Sequence, residues 1–168
     1  GITSDLILDG TVNPDFSQVE SDAGQVDVNL RYSLFYSEKR PFFLEGQDNY
    51  TIAATGNDLD PQIFYSRTIA DPLLGTKLTG KVGDGNTLAA LYAMDNVYEA
   101  DRSTLGRYVH TPVVRFKRSL SEDSYVGFLY AGRELEHTNN RLVGFDDMNR
   151  VSDGAVFSSS GYVSSAKD

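Results

Sequence analysis

Residues 75–95, GTKLTGKVGDGNTLAALYAMD, have the pattern of a β-hairpin. Polar and apolar side chains alternate along the first arm, residues 77–83. The second arm, residues 87–95, returns with Leu88, Ala90, Tyr92 and Met94 on one side. The Gly-Asp-Gly-Asn sequence between the arms is typical of a tight turn, because glycine and asparagine tolerate the left-handed backbone of hairpin turns. A period of two is that of a β-strand, and the tight turn between the arms predicts two antiparallel strands.

The same alternation continues on both sides of this hairpin. Further strands are predicted at residues 4–16, 63–67, 110–120, 125–134, 141–149 and 154–165. Polar loops are predicted at residues 47–61, 96–106 and 135–140. The 15 glycines and the scarcity of helix-forming runs agree with these assignments, so we predict an all-β antiparallel fold with many turns.

Composition limits the class of protein. With 168 residues, the chain is long enough for one domain with a hydrophobic core. Lys and Arg number 15 against 24 Asp and Glu, and the resulting charge of -9 argues against a nucleic-acid partner, because phosphate binding needs clustered cations. The absence of cysteine excludes disulfides and cysteine-based metal sites. No apolar run is long enough for a membrane-spanning helix.

Two all-β architectures fit the alternation. A soluble sandwich turns its apolar side chains towards the interior and its polar side chains towards water. A membrane barrel has the reverse arrangement, with apolar side chains towards lipid and polar side chains towards the lumen. Periodicity alone does not separate these two architectures.

Four sequence blocks in a fixed order add a family resemblance. They are TVNPDFSQVE at residues 11–20, EKRPFFLEG at residues 38–46, FYSR at residues 64–67 and GTKLTGK at residues 75–81. The chain resembles a family of uncharacterised bacterial outer-membrane proteins, in which a β-barrel domain of unknown function follows a module similar to family-nine carbohydrate-binding modules. The resemblance implies an antiparallel membrane β-barrel in the bacterial outer membrane, with the lipid bilayer as partner and carbohydrate or another small solute as a further partner.

The chain departs from that family pattern in two respects. No carbohydrate-binding module precedes the first block, and the part after residue 75 has room for about six strands, whereas bacterial barrels begin at about eight. We therefore expect a single domain over residues 1–168 that is a fragment of a larger barrel. Residues 1–74 would supply a first strand and an irregular plug or lining segment, and residues 75–168 would supply barrel strands.

The block at residues 38–46 supplies the first candidate site. Opposite charges flank a proline and two adjacent phenylalanines, which suits an irregular segment buried against other protein. One interpretation is a charged plug or constriction, with Arg40 paired to Glu45 or to lumen carboxylates. The other is a structural salt-bridged turn that the two phenylalanines anchor. The candidate residues are Glu38, Lys39, Arg40, Phe42, Phe43 and Glu45.

A basic stripe across neighbouring strands is the second candidate site. It consists of Lys77, Lys81, Arg115, Lys117 and Arg133. These side chains would line a lumen and attract anionic solutes, or they would form an ordinary solvated strand face. Under either interpretation they lie off a lipid face, where a charge at mid-depth costs about 2–4 kcal/mol.

No residue pattern predicts chemistry in this segment. The carboxylate pairs are common in acidic β proteins, His110 and His137 lie in different elements, and no phosphate-binding loop is present. We therefore expect no catalytic residue, no metal site and no cofactor. The predicted function is a porin-like or uptake-associated outer-membrane protein, and the alternative is a soluble β-sandwich enzyme or accessory module that acts on carbohydrate.

Overall fold

The computed structural model describes residues 5–14, 38–50, 52, 66–69, 72–96 and 108–167. The strands are β1 (Leu6–Val12), β2 (Pro72–Lys81), β3 (Asn86–Asn96), β4 (Tyr108–Ser121), β5 (Ser124–Leu135), β6 (Thr138–Ser152) and β7 (Ala155–Lys167). One short helix, α1 (Pro41–Leu44), and two 3₁₀ turns, Gln47–Tyr50 and Ser66–Thr68, lie between β1 and β2. The predicted segments at residues 15–37 and 97–107 lie outside the described residues.

The strands form one antiparallel sheet in the order β1-β2-β3-β4-β5-β6-β7, so each strand pairs with its neighbour in sequence. The prediction of an all-β antiparallel fold is therefore confirmed. In the part of the chain that the structure describes, β1 and β7 are the two edges of the sheet and do not pair with each other. The sheet is open in this part of the chain, and it is not closed into a barrel.

One predicted loop is wrong. Residues 135–140 were expected to be irregular, but β5 ends at Leu135 and β6 begins at Thr138. Asn139 and Asn140 pair across the sheet with Glu134 and Arg133. These residues are polar because they lie at the ends of β5 and β6, and the backbone pairing of the two strands continues through them. The predicted strand at 63–67 is also wrong where it can be compared, since Ser66–Thr68 is a 3₁₀ turn.

The segment between β1 and β2 owes its local shape to Pro41. Arg40 has an extended backbone, with φ -78° and ψ 121°, as expected for a residue before proline. Pro41 then begins α1, where the fixed φ of proline suits the first helical turn. Gly46 has a positive φ of 73°, which lets the chain turn directly into the 3₁₀ turn Gln47–Tyr50.

Residues 38–50 and Ile52 lie across one face of the sheet, which we call the inner face. We call this stretch the covering segment. Phe42 lies against Gly75 of β2, and Ile52 lies against Gly144 of β6. The core forms between this segment and the inner face. Its buried members are Phe43, Ile52, Ile69, Leu91, Ala93, Val113 and Leu129.

The opposite, outer face of the sheet is apolar and largely uncovered. One register row across it reads Leu8, Leu78, Ala90, Val114, Tyr130, Val143 and Val163. The next row contains Leu88, Phe116, Phe128 and Phe145. Phe145 is 60% exposed and Val163 is 74% exposed. The sheet therefore buries the face that carries its charges and exposes the face that carries its aromatic side chains.

Within the described ranges, helical structure is confined to α1 and the two 3₁₀ turns. Among the described residues, no helix has both the length and the apolar character needed to cross a membrane.

Substitution of Phe43 by alanine tests the docking of residues 38–52 on the inner face. Phe43 is 5% exposed, and we expect the substitution to lower the free energy of unfolding by about 3–5 kcal/mol, because it leaves a cavity in the core. The neighbouring Leu44 is 43% exposed and serves as the control, with an expected loss below about 1 kcal/mol for Leu44→Ala. Urea unfolding followed by circular dichroism measures both. Equal losses would contradict this packing.

Candidate functional site

The Arg40 side chain is the centre of a buried polar cluster at the start of the covering segment. Its Nε and Nη2 atoms each donate a 2.8 Å hydrogen bond to the Glu38 carboxylate. Its Nη1 atom donates a 2.5 Å hydrogen bond to the Ile69 carbonyl, and Nη2 donates a second hydrogen bond, of 2.9 Å, to the Ser66 carbonyl. The guanidinium carbon lies 4.3 Å from the centre of the Phe43 ring. The cluster thus ties the segment at residues 38–43 to residues 66–69.

Glu38 is the carboxylate that neutralises Arg40. The Ser66 hydroxyl donates to Oε2 at 2.5 Å, and the backbone amides of Lys39 and Arg40 donate to Oε1 at 3.0 Å. Burial alone raises the pKa of Glu38, but the hydrogen bonds from Arg40 and Ser66 and the charge of Arg40 outweigh it and lower the pKa from 4.5 to about 2. Sequence analysis expected Arg40 to pair with Glu45 or with lumen carboxylates. Glu38, two residues earlier in the chain, holds the guanidinium, and the Glu45 carboxylate lies near the Lys77 amine instead.

Lys77 is a second buried cation and joins β2 to α1. Its amine donates to the carbonyls of Phe42 and Glu45, at 3.0 and 2.8 Å. Its Nζ lies 3.7 Å from the Glu45 carboxylate, 3.8 Å from that of Asp9, and 5.2 Å from the centre of the Phe42 ring. The side chain is 1% exposed. Lys77 therefore supplies the donors that the end of a one-turn helix lacks.

Arg115 and Asp146 form a buried ion pair at the centre of the sheet. Two parallel hydrogen bonds of 2.5 and 2.7 Å join Nη1 and Nη2 to the two carboxylate oxygens. Both side chains are at most 1% exposed. Gly127 lies between them on β5, and a Cβ there would come within 2.4 Å of Asp146 Oδ1 and 2.5 Å of Arg115 Nη1. Arg115 Nε has no hydrogen-bond partner among the described residues.

Other polar groups surround this ion pair. Tyr125 hydrogen-bonds to Asp146, and the Lys117 amine lies 5.7 Å from the centre of the Tyr125 ring. Asp48, on the 3₁₀ turn of the covering segment, interacts electrostatically with Lys117. Asp48 thus connects the covering segment to a polar cluster whose members come from the three adjacent strands β4, β5 and β6.

The structure places the five residues of the predicted basic stripe on one face but in different environments. Lys77 and Arg115 are almost fully buried and paired, so the interpretation as a solvated strand face is wrong for these two. Lys81 and Arg133 are exposed, near opposite ends of the sheet. Of the two adjacent carboxylates Asp146 and Asp147, only Asp146 faces inwards, while Asp147 accepts hydrogen bonds from Asn149 and Ser159. Sequence reasoning missed the role of Asp146, because its partner lies 31 residues away.

Among the described residues, the histidines and carboxylates do not come together in one catalytic or metal-binding arrangement. His110 Nδ1 lies 2.6 Å from the Tyr92 hydroxyl, and Nδ1 is thereby committed to a neighbouring strand. Among the described residues, no group of three or more His, Asp or Glu side chains is arranged to hold a metal ion.

The fold and the site define an all-β protein whose antiparallel sheet is covered on its charged face by an N-terminal segment. The chain belongs to a family described as a domain of unknown function (DUF5916), whose model matches residues 1–91. That range includes the four blocks on which the resemblance was based. Comparisons with curated proteins and with solved structures found no match.

Gly127→Ala tests the close approach at the buried ion pair. The new methyl group would displace Arg115 or Asp146, so we expect the free energy of unfolding to fall by about 1–3 kcal/mol. The matched control is Gly161→Ala on β7, where an added Cβ meets nothing within 4 Å and the expected change is within about 0.5 kcal/mol. Urea unfolding measures the free energy of unfolding of both variants. A Gly127→Ala variant as stable as Gly161→Ala would contradict the close packing of Gly127 against the ion pair.

Glu38 makes the stability of the fold depend on pH. Its pKa falls from 4.5 in the unfolded chain to about 2 in the folded protein, so its contribution is fully present above about pH 4.5 and is lost as the pH falls towards 2. At pH 7, Glu38→Gln is expected to cost about 3 kcal/mol, because it replaces the charged partner of a buried guanidinium by a neutral amide.

Unfolding titrations at pH 7 and pH 3 check this prediction. The free energy of unfolding of the wild type should fall further between these pH values than that of Glu38→Gln. Glu122→Gln, in the exposed turn between β4 and β5, removes the same charge without contacting Arg40 and serves as the control. Identical pH dependence in the wild type and in Glu38→Gln would contradict the assignment.

Proposed function

We propose that this chain forms part of a bacterial outer-membrane β-barrel with a porin-like or uptake-associated role. In this proposal the outer face of the sheet contacts lipid, and residues 38–52 lie in the lumen as a plug or lining segment. The single observation that carries the proposal is the unequal covering of the two faces. The face with Arg115 and Asp146 is buried, and the face with Phe145 is exposed.

The outer face supports a lipid contact through its composition. Apolar side chains follow one another across the sheet, and Leu8, Phe116, Val126, Phe145 and Val163 are between 38% and 74% exposed. An apolar surface of this extent is unusual on a monomeric soluble protein. The charged outer-face groups lie towards the strand ends, with the Glu134–Arg141 ion pair at one end and Arg118 at the other.

The inner face supports a lumen. Irregular backbone at membrane depth is tolerated only where protein or water satisfies its polar groups. Here Lys77 donates to the carbonyls of Phe42 and Glu45, and Arg40 donates to those of Ser66 and Ile69. Lys77, from the stripe that sequence analysis assigned to attraction of solutes, thus satisfies carbonyls of the proposed plug. Arg40, from the plug itself, satisfies carbonyls of residues 66–69.

Closure of the barrel requires strands in addition to the seven described here. The smallest bacterial barrels have about eight strands, and in a closed barrel the edges β1 and β7 would each pair with a further strand. The proposed partners are the lipid bilayer and a small solute, with carbohydrate as one class of solute. The proposed location is the bacterial outer membrane.

Lysine substitutions at two depths of β6 test the lipid contact. Phe145 lies at the middle of β6, and Val151 lies beside the turn to β7. If the outer face meets lipid, Phe145→Lys should lower the free energy of unfolding in phospholipid bilayers by about 2–4 kcal/mol, and Val151→Lys by only about 0–1 kcal/mol. Both side chains are more than half exposed, so they are matched in burial.

The intact protein should also require detergent for extraction from cell envelopes. Recovery of a monodisperse protein from the aqueous fraction without detergent would overturn the proposed membrane role. Equal tolerance of lysine at positions 145 and 151 would overturn it as well, since a lipid contact makes the cost of a charge depend on depth.

A further inference from the structure

The connections between strands differ in length at the two ends of the sheet. At one end, which we call the short-turn end, tight turns join β2 to β3, β4 to β5 and β6 to β7. The residues of these turns are 82–85, 122–123 and 153–154. At the other end, which we call the long-connection end, residues 13–71 join β1 to β2 and residues 97–107 join β3 to β4. The third connection at the long-connection end, residues 136–137, is short.

The covering segment begins at the long-connection end. Arg40 donates hydrogen bonds to the carbonyls of Ser66 and Ile69, which lie shortly before the start of β2 at Pro72. The place where the chain reaches the inner face and the place where it returns to β2 are therefore close together. Both lie at the long-connection end, because that is the end at which β2 starts.

From Arg40 the covering segment follows β2 towards the short-turn end. Phe42 lies against Gly75, and Gly46 lies against Thr79, further along the same strand. Between these two positions, Lys77 donates to carbonyls of the covering segment. The covering segment is thus part of a re-entrant loop, which crosses the inner face from the long-connection end and does not continue from the short-turn end.

The length of connections is related to orientation in outer-membrane barrels. Bacterial barrels have short turns at the periplasmic end and longer loops at the extracellular end. By this relation, the short-turn end of the sheet lies in the periplasm and the long-connection end lies outside the cell. This step rests on the proposed membrane function, since the two ends have these locations only in an outer membrane.

We propose that the covering segment enters the lumen from the extracellular end, as a re-entrant loop that narrows the pore from the outside. A solute that arrives from the exterior meets the Arg40–Glu38 cluster first and the 3₁₀ turn Gln47–Tyr50 last. The opposite orientation would make the same segment a plug that a solute from the exterior meets only after it has crossed most of the lumen. The orientation therefore decides which part of the segment faces an incoming solute.

Cysteine labelling of the full-length protein in intact Gram-negative cells tests this orientation. His137→Cys places a thiol in the turn between β5 and β6, at the long-connection end, and Glu122→Cys places one in the turn between β4 and β5, at the short-turn end. Both turns have two residues and both side chains are exposed, so the variants are matched. The 168 residues contain no cysteine, and the protein without either substitution gives the background.

The reagent is a maleimide attached to a polyethylene glycol chain that is too large to cross the outer membrane. In intact cells we expect His137→Cys to be labelled at least about tenfold more than Glu122→Cys, because the shorter turns of a bacterial barrel face the periplasm. After permeabilisation of the outer membrane, both variants should be labelled equally, which shows that both thiols react.

Two outcomes in intact cells would overturn the inference. Stronger labelling of Glu122→Cys would place the entry of the covering segment at the periplasmic end, and equal labelling of both variants would remove the distinction between the ends. Neither outcome bears on extraction by detergent or on Phe145→Lys, so an error in orientation is distinguishable from failure of the membrane role. Recovery of the protein without detergent would overturn the membrane role and the orientation together.

Discussion

The Lys77 amine satisfies two backbone carbonyls of a segment that has little regular structure of its own. A one-turn helix cannot satisfy its own terminal carbonyls, and burial without a partner costs about 1–3 kcal/mol for each polar group. A cation from the adjacent strand removes that cost and fixes α1 over β2. The covering segment can then place Phe43 and Ile52 in the core, so the core depends on a polar contact at its edge.

The Arg115–Asp146 ion pair contributes differently, through the register of the sheet. A buried ion pair often stabilises no more than apolar residues of similar volume would, because both charges must be desolvated. Its value here is that it distinguishes between registers. A shift of β6 by one residue would turn Asp146 to the outer face and Phe145 to the inner face. Arg115 would then be buried without a counter-ion, so this pairing disfavours a slipped sheet.

Sequence reasoning located strands well and contacts poorly, for one physical reason. Alternation along a strand follows from local geometry, so the hairpin of β2 and β3 is visible within residues 75–95. The pairing of Arg115 with Asp146 depends on the register of three strands and leaves no local trace. Residues 135–140 were predicted to be a loop because exposed strand ends and loops have similar polar compositions. Pro41 and the charges around it predicted an irregular segment, but they could not indicate which carbonyls Lys77 would bind.

Periodicity alone did not separate a soluble sandwich from a membrane barrel, and these two architectures differ in which face of the sheet is covered. In a soluble sandwich, a second layer would pack on Phe116 and Phe145, and the charged face would remain in water. In the described part of this chain, the second layer packs instead on the face that carries Lys77, Arg115 and Asp146. A soluble protein would therefore need a third layer to cover Phe145. A bilayer would solvate that face without any additional protein, and this difference is the strongest argument for the membrane proposal.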